Sequence, residues 1–159
     1  MKTTNKHVFF WNGIYSQWHK APMTIDGVTY NCCEQYMMHQ KALLFGDVEI
    51  ARQILRVSDP REQKELGRKV KGFNKEKWDK ACVGIVYKGN YAKFSQNEDL
   101  KTELLNTGNR IPVEASPVDY IWGIGMHEDD NGVENPANWK GTNLLGWSIM
   151  LVRNELSNE

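Results

Sequence analysis

The dipeptide Asp26-Gly27 constrains this chain more than any other feature. It separates two β-rich triplets, Met23-Thr24-Ile25 and Val28-Thr29-Tyr30. Asp-Gly between such pieces marks a two-residue hairpin, because both loop positions of the favoured turn take positive φ. Directly afterwards the apolar period changes from two to 3.6. Residues 34–45 read as a helix, with Asn31 as a plausible cap and Glu34 three positions on, the spacing of a capping box. Gly46 closes that helix and Asp47 opens the next, over 48–56. Pro60 suits the first turn of a third helix reaching about residue 70. Helices over 75–96 and 98–106, the latter ending at Gly108, complete the middle of the chain.

Elsewhere, residues 8–11 read as a strand and 111–115 as a second one. Residues 116–141 are rich in Pro, Gly, Asn and Asp and read as a long loop, followed by a last helix over 143–156. Long loops in compact domains tend to be functional. There is no internal repeat or linker. The expectation is an α+β fold: one domain over residues 1–159, mostly helical, with a small β-sheet or hairpin.

Composition narrows the function. The chain has 159 residues, and its 20 Lys and Arg balance its 20 Asp and Glu. Such a balance argues against holding nucleic acid by bulk charge, yet leaves room for a local cationic pocket. Three cysteines, no zinc spacing and a start without an apolar run fit a cytoplasmic protein. No stretch approaches the roughly 20 apolar residues that span a bilayer. Six tryptophans are many for this length. Most should fill the core, but indoles also stack on flat heterocycles. His7, His19, His39 and His127 form no triad pattern, and His39 reads as a helix-surface residue.

An ordered set of short motifs carries more weight. It begins with Asp26-Gly27-Val28-Thr29-Tyr30, then Glu34-Gln35-Tyr36 and Gln40-Lys41-Ala42. Asp59-Pro60, Lys64, Leu66-Gly67-Arg68, Trp78, Lys93-Phe94 and Leu104-Leu105-Asn106-Thr107-Gly108 follow. Gln96-Asn97 also belongs to it, as do Val113-Glu114-Ala115-Ser116-Pro117, Asp119, Trp122-Gly123, Gly141-Thr142-Asn143 and Leu145-Gly146, and it ends at Met150 and Arg153. Over nearly its whole length the chain resembles the NADAR, or YbiA-like, family. Two departures bear on substrate choice. Gln35 stands where that family usually has His, and Tyr15-Ser16-Gln17-Trp18 stands where it has Phe-Ser-Asn-Phe.

The resemblance implies an N-glycosidase that needs neither metal nor cofactor. Two substrate types follow from it: phosphorylated ribosylamino-pyrimidine intermediates of riboflavin biosynthesis, and ADP-ribose attached to guanine in nucleic acid. A non-catalytic module that binds ADP-ribose or a related nucleotide is the alternative. The resemblance leaves the oligomeric state open and implies no membrane partner.

Breaking a ribose–nitrogen bond builds positive charge on the sugar, so a fixed anion is needed beside it. Glu34 is the first candidate, against the plainer reading that it only caps its helix. Lys41, seven residues on, shares its face, with Cα atoms about 10 Å apart. A lysine in an apolar site can lose its proton and attack a ring-opened sugar aldehyde; the plainer role is phosphate binding or solvation. Asp119 is expected to orient water or hold ribose hydroxyls, unless it only makes a turn. Trp18, Tyr36 and Trp122 are candidates for gripping the base, with Gly123 beside them, and Trp78 either joins them or fills a helix stripe. Lys64 and Arg68, at i and i+4, suit a phosphate. Asn143 either caps the last helix or points its amide at the ligand. The expected pocket is built from the first helix and the late loop.

Overall fold

The computed structural model describes all 159 residues, Met1–Glu159. The chain divides into two compact units, Lys20–Asn97 and a second made of both chain ends, Met1–His19 with Glu98–Glu159.

In the first unit, β3 (Met23–Ile25) and β4 (Val28–Tyr30) pair antiparallel with Ile25 opposite Val28. Asp26 and Gly27 both take positive φ, 52° and 81°. That is the turn the dipeptide predicts. Four helices follow: α1 (Cys33–Leu44), α2 (Val48–Arg56), α3 (Pro60–Arg68) and α4 (Lys75–Gln96). Helix α1 touches each of the other three. It is buried along most of its length, from Cys33 through His39 and again at Ala42. A helix buried all round must find partners for its polar side chains. At the α1–α3 crossing, a Cβ on Gly67 would lie 2.0 Å from Met38 Sδ, so any larger residue there would push the Met38 side chain aside. Met23, Ile25, Tyr30, Cys33, Tyr36 and Ala92 form the core.

In the second unit, β1 (Lys2–Thr3), β2 (His7–Phe10) and β5 (Ile111–Glu114) form a three-stranded sheet in the order β1-β2-β5. β2 and β5 are parallel, with His7 opposite Ile111 and Phe10 opposite Glu114. Parallel neighbours need a long crossover, and here the entire first unit lies in sequence between them. Helices α5 (Glu98–Asn106) and α6 (Leu144–Ser157) belong to this unit, with α6 packed on β5. Phe9, Val113, Ala115, Ile124, Met126 and Val133 make its core. The 116–143 segment is a chain of turns holding one short 3-10 turn, Pro136–Asn138. No helix in either unit is long and apolar enough to cross a membrane.

Candidate active site

The start of α1 differs from the capping-box expectation. The cap position is Cys32, one residue beyond Asn31, and it makes no side-chain cap bond. The backbone N–H of Asn31 donates instead to Gln35 Oε1 at 2.8 Å. Gln35 Nε2 donates to the carbonyls of Ile54 and Val57 at 3.0 and 3.3 Å. The Asn31 carboxamide ties to Ser58 O and to Gln63 Nε2. Gln35 therefore latches the entrance of α1 to the end of α2, and the Asn31 N–H that a capping box would offer to Glu34 is given to Gln35. Glu34 lies in the first turn, at the positive end of the helix dipole.

Two turns on, Lys41 is half-buried and makes no hydrogen bond or ion pair with any other side chain or carbonyl. Its Nζ lies 4.8 Å from the Phe73 ring centre and 5.8 Å from that of Trp78. Burial pulls its proton affinity below that of an ordinary lysine. The nearby Glu34 carboxylate works against that shift, and the Arg68 guanidinium adds to it. The first unit thus gathers an acid, a depressed amine, a cation and two aromatic faces. Lys64 is exposed on α3, one turn before Arg68, and neither cation has an ion-pair partner.

Tyr36 has a different role from the base-gripping one expected. It is 2% exposed, sits edge-on to Tyr30 at 5.1 Å and leaves no room for a Cβ on Gly89. This is core packing. His39 likewise departs from its surface reading: it is 7% exposed, and its Nδ1 pairs with the Tyr30 hydroxyl at 2.8 Å. Burial lowers His39's proton affinity and pushes Tyr30 up to about 12. The neutral imidazole is thus the form that suits the pair. Burial also raises the Cys32 and Cys33 thiols, so neither is a ready thiolate.

In the second unit, Asp119 Oδ1 accepts from the N–H groups of Ile121 and Trp122 at 2.9 and 2.8 Å. This is a local turn of the kind the plainer reading foresaw. Trp122 is half-buried, and its carbonyl accepts from Leu145 N in the first turn of α6. Gly123 is buried where a Cβ would come within 2.9 Å of the Asp119 and Glu114 carbonyl oxygens. Trp18 remains 39% exposed. Asn143 adopts a left-handed conformation at φ 53° and makes no side-chain cap bond. Its Oδ1 accepts from Glu114 N at 3.0 Å and its Nδ2 donates to Pro112 O at 3.1 Å. Both ends of the amide brace β5, which corrects the cap and ligand expectations together.

Against proteins of known kind, residues 6–157 match the model of the NADAR domain. The chain belongs to the NADAR family. N-glycosidase R617 of Acanthamoeba polyphaga mimivirus is 45% identical over 166 residues, covering 96% of this chain and 97% of that protein. N-glycosidase YbiA of Escherichia coli K12 is 31% identical, over 92% of this chain and 83% of its own. The NMR structure of E. coli YbiA superposes with a TM-score of 0.80 at 28% identity, covering 99% of this chain and 88% of that one. With such relatives along nearly its full length, the chain is an N-glycosidase.

Two features of this NADAR domain escaped sequence reasoning. Phe73 looks like any exposed loop aromatic in sequence, and only the fold brings it to Lys41. Lys93 lies within a matched motif, but its spacing gives no hint that it is 0% exposed, with Nζ 5.0 Å from the Phe94 ring centre. Burial lowers its proton affinity too. The departure at Gln35 also acquires a physical meaning. Its side chain is fully engaged with backbone, so His in its place changes a latch between helices.

Proposed function

We propose that this N-glycosidase hydrolyses the bond between a ribose anomeric carbon and a nitrogen of a flat heterocycle. Two substrates fit: ADP-ribose on a guanine of nucleic acid, and a phosphorylated ribosylamino-pyrimidine. The observation that carries the reading is the Lys41 amine. It is half-buried, depressed in proton affinity, unpaired by any carboxylate or carbonyl, and electrostatically coupled to Glu34. A structural lysine is ordinarily solvated or ion-paired. An amine kept apart from such partners suits a nucleophile.

In this reading Glu34 supplies the negative charge that faces C1 as it becomes cationic. The C1–O4′ bond breaks as the nitrogen lone pair forms a C1–N double bond, and O4′ takes its electron pair and a proton from solvent. Neutral Lys41 Nζ adds to C1, and the base departs with the C1–N electron pair and one proton. Water then cleaves the lysine imine, returning the free amine and a sugar aldehyde that recloses. Net, one water is consumed and one free base released. Lys64 and Arg68 receive phosphate, and Trp78 contributes an aromatic face.

The test incubates the enzyme with each substrate type and borohydride, read by mass spectrometry. Wild type should release free base and, on reduction, gain a sugar adduct on Lys41. Lys41→Arg should gain none. Full turnover without any adduct would remove the covalent route, and no free base from either substrate would remove the substrate assignment.

A further inference from the structure

The only close neighbours of the Lys41 amine that the geometry records are aromatic faces, and one of them belongs to a residue no motif marks. Phe73 is 48% exposed, although a phenyl ring gains by burial. Three local devices hold it there. Asp47 Oδ2 accepts from Lys71 N at 2.9 Å, fixing the segment's start. Gly72 follows at φ +79°, a conformation that favours glycine. Asn74 then caps α4, its Oδ1 accepting from Lys77 N at 2.9 Å. The ring itself rests edge-on against Phe45 at 5.4 Å.

We propose that Phe73 is a positioning residue of the N-glycosidase reaction: its ring seats the Lys41 amine and shields it from water. The proposal rests on the reading of Lys41 as the reacting amine. Charged groups around that amine come from two elements, Glu34 on α1 and Arg68 on α3. Lys77 on α4 stands over the Phe45 ring instead, at 5.7 Å. Glu34 and the two aromatic faces favour the ammonium form, yet the net direction is toward the neutral amine. Lost hydration, with the Arg68 guanidinium adding to it, therefore outweighs the Glu34 carboxylate. Removing the ring should return water to Nζ and move its titration back up toward that of an ordinary lysine.

Phe73→Ala and Phe73→Tyr separate the seat from mere structure. The Lys41 amine is followed by NMR in ¹³C-lysine-labelled protein, its signal identified by its loss in Lys41→Arg, alongside a pH profile of turnover. In Phe73→Ala the titration should move up. Turnover at neutral pH should drop about tenfold for each unit moved and recover at higher pH. Phe73→Tyr, which keeps the ring, should behave as wild type. An unmoved titration in Phe73→Ala, or an equal displacement in Phe73→Tyr, overturns the seat. A moved titration with an unmoved pH profile upholds the seat and overturns Lys41 as the reacting amine.

Discussion

On α1, the Lys41 amine finds no hydrogen-bond partner and only aromatic rings beside it. In the 116–143 segment, the polar side chains that sequence reading singled out are tied to backbone: Asp119 to Ile121 and Trp122, Asn143 to Glu114 and Pro112. The contrast has a physical cause. A helix satisfies its own backbone, so a side chain on it is available for chemistry. A turn-rich segment leaves many N–H and C=O groups without ladder partners, and nearby polar side chains are recruited to serve them. Asp119 and Asn143 are thus weaker functional candidates than Lys41, although α1 also carries Gln35, whose amide serves the backbone of other segments.

The sharpest way to break this contrast is to neutralise one carboxylate in each region. Glu34→Gln should lower kcat by about 10²- to 10³-fold, the scale for losing one electrostatic contact to a developing charge. Asp119→Asn keeps an oxygen for the two turn N–H groups and should lose no more than about 10²-fold, the low end for a positioned general base or acid. Single-turnover rates on folded protein decide, and a reversed ranking would move the chemistry to the loop.

Asn143→Ala sharpens the other half. It leaves Glu114 N–H and Pro112 O without their partner, which costs about 1–3 kcal/mol. Ala also tolerates the φ of 53° poorly. Urea unfolding should show that loss, and an unchanged midpoint would mean the amide is not a brace.

The smallest effect compares one histidine from each unit. Burial lowers the proton affinity of both His7 and His39 below the ordinary 6.5. For His7, Glu134 opposes the shift and Lys6 adds to it. In each case the unfolded chain binds a proton that the folded one resists. Stability is therefore full above about pH 6.5 and declines as pH falls from there through the lower folded values. Urea midpoints at about pH 7.5 and 5.5 should differ, and His39→Gln should narrow the gap. A gap of the same size in that variant would place the loss on other groups.

Local signals made much of the fold legible. Asp26-Gly27, Asp47 before α2, Pro60 opening α3 and Gly108 after α5 each act within a few residues, where propensity and capping decide the outcome. Helix α4 and its 75–96 span followed from periodicity alone. The beginning of α1 was less legible. Asn31 and Glu34 have capping-box spacing, but the Asn31 N–H bonds Gln35, one residue later. That choice depends on the carbonyls of Ile54 and Val57, some twenty residues away. His39 was misplaced for the same reason, since its burial comes from β4 and Tyr30.

By itself, then, the sequence determined the order of elements, the hairpin turn and, through ordered motifs, the family and its chemistry. These depend on short-range sterics and on residue identity. The tertiary structure alone decided which polar groups are engaged and which stand apart. It pairs β2 with β5 across the whole intervening chain, drives Tyr36 and His39 into the core, and brings Phe73 to Lys41. Burial and long-range hydrogen bonding set those outcomes, and neither is visible until distant segments meet.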